Sequence, residues 1–213
     1  MPFGLRDRQP DAALLAEAYR RLGRTGMIAG NSGNVSMRCA EGMLISPSGT
    51  TPATITEETV VTMGLDAPAP RASSEWALHG ALYRTRPELH AIVHTHADAC
   101  TALACLNEPL PAFHYGVLAF GGEDVRCAPY TTFGTPELAT LAATAMEGRT
   151  ACLLANHGMI VASTTMDAAI EAAFDLERLC RQYLLARAAG MPRVLTAEEV
   201  AGAAERFKTY QTG

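Results

Sequence analysis

Between Ala12 and Leu22 the apolar residues Leu14, Leu15, Ala18 and Leu22 fall on one helical stripe, with Asp11 placed as an N-cap, so the chain is predicted to open on an amphipathic helix. The stretch Gly26 to Asn34 (GMIAGNSGN) then loses all apolar period and is rich in Gly and Asn. Short strand candidates follow at Val35–Met37 and Met43–Ile45, and the turn Ser46-Pro47-Ser48-Gly49 closes this hairpin region. Ser73-Ser74-Glu75 precedes Trp76, Leu78, Leu82 and Tyr83, a helix whose free N-terminal N–H groups and dipole favour an anion. Ala91 to His94 reads as a buried strand running through His96 into a helix from about Ala97 to Leu106. Pro136 to Met146 is predicted helical, and Ala151–Ala155 and Met159–Ala162 are strands joined through Asn156-His157-Gly158. A long amphipathic helix spans Met166 to Ala189, and Thr196 starts a last short helix ending near Tyr210.

No internal repeat, low-complexity tract or linker interrupts this alternation. It predicts a single α/β domain over residues 1–213, with a central sheet flanked by helices, and the hairpins favour a mixed or antiparallel sheet over a parallel one. Composition narrows the function classes. With 213 residues and 48% hydrophobic content the chain can bury a sizeable core, and its formal charge of −5 argues against a nucleic-acid surface. No apolar run reaches the ~20 residues of a membrane span, and MPFGLRDRQPD lacks a secretory apolar segment, so a cytoplasmic protein is expected. The six cysteines lie scattered without a C-x-x-C pair and are expected to be buried free thiols. Lys208 is the only lysine, which leaves Schiff-base chemistry one badly placed candidate.

His94 and His96 stand two apart at a strand end, so both imidazoles project from one face with Cα atoms roughly 6–7 Å apart, close enough to share a metal. His157, in the turn between two strand candidates, is a possible third ligand, and H-x-H plus a distant His is the donor pattern of a catalytic zinc site. The plainer reading is turn histidines. Glu75 beside the Ser-Ser pair is open to three roles: fourth ligand, general base or helix-capping charge. His79, one turn further on the same face, is read as structural, because a ligand there would compete with the H-x-H pair. Asn31, Ser32, Gly33 and Asn34, with Ser48, Gly49, Ser73 and Ser74, form polar loops without a Walker pattern, yet their neutral donors and a helix N-terminus can hold a phosphate monoester.

GNVSMR, ISPSG, SSEW, HTH, HYG, APYTTFGT, NHG and FKTY occur in that order over nearly the whole chain, which on these motifs resembles the class II aldolase/adducin family. The resemblance implies an α/β fold with a mostly antiparallel central sheet, assembled as a homotetramer with active sites between subunits. It assigns Zn²⁺ to His94, His96 and His157 with Glu75 as the resting fourth ligand, and the phosphate to Asn31, Asn34, Ser48, Gly49, Ser73 and Ser74. The implied reaction is reversible cleavage of a ketose 1-phosphate, L-fuculose 1-phosphate or a 5-deoxy- or 5-methylthio-ribulose 1-phosphate, into dihydroxyacetone phosphate and an aldehyde. The metal would stabilise charge at the carbon left by C3–C4 cleavage, and Glu75 would exchange a proton there. Tyr115 would serve the C4 hydroxyl from a neighbouring subunit, and Tyr210 would close the pocket. Phe133 is a candidate for the aldehyde side or for the core, and the apolar run Gly116 to Phe120 suits a deoxy or thioether tail and a salvage role. Asn31 stands where relatives often carry Thr, and Asn156 where some carry His. Epimerases of pentulose 5-phosphates, methylthioribulose-1-phosphate dehydratases and sugar-acid-phosphate decarboxylases share the three histidines and remain alternatives. An adducin-head-like assembly module would lose them, and here they are intact.

Overall fold

The computed structural model describes residues 9–210, with side chains over 11–207. Helix α1 (Gln9–Arg24) leads into β1 (Asn34–Cys39), β2 (Gly42–Ile45) and β3 (Val61–Met63). Helix α2 (Trp76–Thr85), β4 (Ala91–Thr95) and α3 (Asp98–Ala104) follow. After β5 (Leu110–Pro111), a 3-10 helix (Tyr115–Phe120), β6 (Asp124–Val125) and β7 (Cys127–Ala128), the chain forms α4 (Pro136–Ala145), β8 (Ala151–Leu154), β9 (Gly158–Ser163), α5 (Met166–Ala189) and α6 (Ala197–Tyr210). Seven strands make one sheet in the order β3-β2-β1-β4-β9-β8-β7, antiparallel throughout except for the parallel β7–β8 pair, and β5 and β6 form a separate ribbon. The expected α/β fold with a mostly antiparallel central sheet is therefore the observed one.

The period of two along the strands sorts side chains into two cores. Val35, Val93 and Val161 pack with Leu15 and Tyr19 of α1, Leu103 of α3 and Leu176 of α5. Ile45, Ile92 and Ile160 turn the other way, against Leu78 and Leu82 of α2 and Leu138 and Ala142 of α4. The sheet is thus sandwiched between two helical layers, which is why β4 and β9 are apolar on both faces. In β1 the alternation is unequal: Val35, Met37 and Cys39 join the first core, while Asn34, Ser36 and Arg38 occupy the alternate positions, on the α2 side. His94 follows Ile92 onto that same side, paired across the ladder with Asn34.

Several local expectations are corrected. Helix α1 already includes Gln9 and Pro10, so Asp11 lies in its first turn, where it complements the dipole instead of capping. The strand read as Val35–Met37 runs from Asn34 to Cys39, and α3 stops at Ala104. All six cysteines are free, but only Cys100, Cys152 and Cys180 are buried; Cys105 is exposed and Cys39 and Cys127 are half-buried. The run Gly116 to Phe120 coils into the 3-10 helix and turns Val117 and Phe120 into the first core, so those two are not free to line a substrate tail. No helix among the described residues is long and apolar enough to cross a membrane.

Candidate metal centre

The site lies at the end of β4. His94 is its penultimate residue, fully buried, and His96 follows directly after the strand. His157 is brought alongside by the tight β8–β9 turn Ala155-Asn156-His157, whose Leu154↔Gly158 register fixes where the turn sits. Asn156 adopts φ 55°, a left-handed conformation Asn tolerates better than most residues, and its N–H donates to Ala104 O. Gly158 is required by proximity: a Cβ there would stand 2.4 Å from Thr95 O and 3.1 Å from the His96 ring. Gly33, at φ 83°, is held the same way, 2.7 Å from His94 O.

Glu75 occupies the N-cap position of α2, so its charge faces the helix N-terminus, but its side chain makes no capping hydrogen bond. Its carboxylate is buried and turned towards the histidines. Oε2 lies 3.0 Å from His94 Nε2 and accepts from Asn34 Nδ2, also at 3.0 Å, while Oε1 lies 3.3 Å from His157 Nε2. The His94 and His96 Nε2 atoms are 3.1 Å apart. The three imidazole centroids sit 4.8 to 5.0 Å from one another with interplanar angles of 71° to 74°, a propeller of rings pointing at one spot.

These distances test whether the donor set fits a cation. Four ligands at about 2.0–2.1 Å in tetrahedral array stand roughly 3.3 Å from each other, and the 3.1 Å between the His94 and His96 nitrogens and the 3.3 Å between Glu75 Oε1 and His157 Nε2 approximate edges of such an array. Glu75 Oε1 is a buried oxygen without a hydrogen-bond partner, an expensive arrangement that a cation relieves. One ligand atom from each of Glu75, His94, His96 and His157 lies within 4.8 Å of all the others. The residues present fit a divalent metal.

The electrostatics agree. Burial would raise the Glu75 carboxyl, but the charge and hydrogen bond of His94, then His157 and Asn34, hold it well below the usual carboxylate range. Burial would lower His94, but the Glu75 carboxylate and the hydrogen bond to Met159 O raise it. Burial, then the charge of His94, pushes His96 and His157 each down to about 4. Both are therefore neutral, lone pair available, at neutral pH. His94 Nδ1 donates to Met159 O at 2.8 Å, which commits Nε2 to the ligand role.

A cleft of about 480 Å³ opens beside the cluster. All six phosphate candidates, Asn31, Asn34, Ser48, Gly49, Ser73 and Ser74, line it together with Glu75, His96 and His157. No Lys or Arg is among the lining residues, so recognition there rests on neutral donors and the N-terminal end of α2. Phe133 lines the cleft and is 65% exposed, which settles it as a wall residue and not core. Tyr130 and Thr131 stand beside it and were missed by sequence reasoning; the signal available was an aromatic pair in a Pro- and Gly-bounded loop, PYTTFG. Tyr115 is not brought to the cluster. It is 58% exposed at the start of the 3-10 helix, stacked on His114 at 4.4 Å and in contact with Phe207 of α6. Tyr210 ends α6, and its side chain lies outside the described residues. His79 is not in the ligand group; it is fully buried and hydrogen-bonded at both ring nitrogens, as a structural residue should be.

A sheet between two helical layers, with a carboxylate and three imidazoles converging beside a polar cleft, defines an α/β enzyme of the divalent-metal type. Residues 13–184 match the family described as "Class II Aldolase and Adducin N-terminal domain". The chain belongs to that family, and its curated relatives make it an enzyme of the class II aldolase type. It is 44% identical over 199 residues to a 5-methylthioribulose-1-phosphate/5-deoxyribulose-1-phosphate aldolase of Rhodospirillum rubrum, covering 92% of this chain and 90% of that one. It is 40% identical over 208 residues to an L-fuculose phosphate aldolase of Escherichia coli K12, covering 96% and 97%. A solved L-fuculose 1-phosphate aldolase superposes with a TM-score of 0.86 at 41% identity, covering 92% of this chain and 95% of that one.

Proposed function

We propose that this protein is a zinc-dependent aldolase that reversibly cleaves a ketose 1-phosphate, of the L-fuculose or 5-deoxy/5-methylthio-ribulose type, into dihydroxyacetone phosphate and an aldehyde. The observation that carries the reading is the buried Glu75-His94-His96-His157 cluster opening onto a cleft lined by uncharged donors. The names of the Rhodospirillum rubrum relative and of the solved L-fuculose 1-phosphate aldolase describe action on 1-phosphates, and phosphate held by Asn31, Asn34, Ser48, Gly49, Ser73 and Ser74 suits those donors.

Bound by the four residues, the metal supplies Lewis-acid stabilisation of the charge that develops when C3–C4 breaks. His94, His96 and His157 hold and orient it through neutral nitrogens. Glu75 is the base that exchanges a proton at C3: it is buried, oriented by Asn34, has one oxygen unpartnered, and lines the cleft that would take the substrate. Tyr115 holds or moves the proton of the C4 hydroxyl. Because it is exposed and away from its own cleft, it acts in a neighbouring subunit's site, which requires a homo-oligomer, a tetramer in our reading. Phe133 and Tyr130 face the aldehyde half, and Tyr210 closes over it. The free cysteines suit a reducing cytoplasm, and a salvage role for deoxy or thioether sugars would follow from substrates of the kind named for the Rhodospirillum rubrum relative.

The test is metal content tied to activity. One zinc per chain, loss of dihydroxyacetone phosphate release on chelation and its return on adding zinc are expected; release unaffected by complete metal removal would overturn the reading.

A further inference from the structure

The polar stripe of β1 has a fixed direction of hydrogen bonding. Asn34 and Ser36, buried under α2, connect to His79 and Tyr83, which are also buried. A carboxylate only accepts, so the Asn34 amide facing Glu75 Oε2 is its NH₂ group, and Asn34 Oδ1 on the other side is an acceptor. His79 Nε2 therefore donates to Asn34 Oδ1. With Nε2 protonated, His79 Nδ1 accepts from Ser36 Oγ at 2.6 Å, and Ser36 Oγ in turn lies 2.9 Å from Tyr83 OH. Burial, then the charge of His94, lowers His79 to about 3, so this neutral tautomer is the form present. From Ser36 onward every donor points towards Glu75, and the line ends on Oε2. Oε1 alone is left without a hydrogen bond, on the side of His157.

We propose that His79 is a positioning residue of the metal centre: by donating to Asn34 Oδ1 it locks the Asn34 amide, commits Glu75 Oε2 to Asn34 Nδ2, and leaves Oε1 as the oxygen offered to the cation. The inference rests on the metal reading above. A flipped Asn34 would turn Oδ1 on the carboxylate, and an apolar residue at 79 would remove the only side-chain donor that Oδ1 has among the described residues. Of the two hydrogen-bond partners of the His79 ring, Ser36 and Asn34, Asn34 is the one that reaches Glu75, so the effect on metal retention is expected to run through that amide. Outer-shell partners of this kind carry about 10–100-fold in metal affinity.

The experiment measures Zn²⁺ affinity by competition with a chromophoric chelator for the full-length protein and for His79→Leu, His79→Gln, Asn34→Ala and the Asn34→Ala/His79→Gln double variant, with thermal denaturation of each in chelator. Gln can place an amide donor where the imidazole Nε2 stands, so His79→Gln is expected within about threefold of the parent, and His79→Leu and Asn34→Ala about 10–100-fold weaker. On the Asn34→Ala background, His79→Gln should change affinity no further. His79→Leu that keeps the parent's Zn²⁺ affinity overturns the proposal. If His79→Leu does not fold, Asn34→Ala with unchanged affinity overturns it equally, as does a His79→Gln variant that folds but loses as much affinity as Asn34→Ala. A parent protein that binds no Zn²⁺ fails the metal reading itself, an outcome distinct from a parent that binds while the variants bind equally well.

Discussion

Glu75 is asked to be a ligand and then a base, and its two oxygens are already unequal: Oε2 is hydrogen-bonded to Asn34 and Oε1 is not. Glu75→Gln keeps the shape and removes the proton acceptor. Steady-state kinetics of the zinc-loaded variant should show kcat at least about 10²-fold lower, and a variant that retains zinc and full turnover contradicts the base assignment. Gly158→Ala tests the packing behind the ligands, since its Cβ would fall 2.4 Å from a backbone carbonyl that cannot retreat. We expect Zn²⁺ affinity to fall roughly tenfold or more as His96 is pushed aside, measured by chelator competition. At this scale the sequence was highly informative about chemistry: the H-x-H pair, the loop histidine and Glu75 are the residues that converge. What it could not reveal was direction. That His94 commits Nε2 through Met159 O, and that Asn34 bridges Glu75 and His79, depends on ladder partners far along the chain.

The four candidate ligands come from three places in the chain: Glu75 at the start of α2, His94 and His96 at the end of β4, His157 in the β8–β9 turn. Metal-free protein should report this convergence in its pH dependence. His79, at about 3, and His96 and His157, at about 4, bind protons less readily folded than unfolded, where His titrates near 6.5. Stability is therefore lost as pH falls below about 6.5, with a slope of up to three protons, each about 1.4 kcal/mol per pH unit. Glu75, depressed, contributes stability that is present above its unfolded value and lost only below it; His94, raised, contributes stability that is lost as pH rises through its folded value. Denaturation in urea and chelator should thus show stability climbing from pH 4.5 to a maximum at or above about pH 7, and a flat profile from 4.5 to 6.5 contradicts the buried-neutral histidines. Long periodic elements such as α1 and α5 were legible from their apolar stripes. β5, β6 and β7 were not, because strands of two residues carry no period. The run Gly116 to Phe120 misled for a related reason: five apolar residues fit a pocket wall and a core turn equally, and only packing into the core beside Leu179 of α5 decides.

For the whole molecule, the separation of Tyr115 from its own cleft is the strongest pointer to an assembly. Mixing zinc-loaded Glu75→Gln with Tyr115→Phe, after dissociation and reassembly, should restore part of the activity that neither variant has alone, because hybrid oligomers contain sites with both groups intact. Activity that stays at the sum of the two separate variants contradicts a shared site. Fold class was readable from the alternation of helices and strands, and the two-layer cover of the sheet from the apolar runs of β4 and β9; a sharing of site residues between copies, as proposed for Tyr115, would be invisible to periodicity. The most direct test of the central claim is product analysis with zinc-loaded protein on L-fuculose 1-phosphate and on 5-deoxy- and 5-methylthio-ribulose 1-phosphate, with and without chelator. The account predicts stoichiometric dihydroxyacetone phosphate and aldehyde from at least one of them, abolished by chelator. Zinc-loaded protein that releases none from any, or that returns an epimer or a dehydrated product instead, contradicts it.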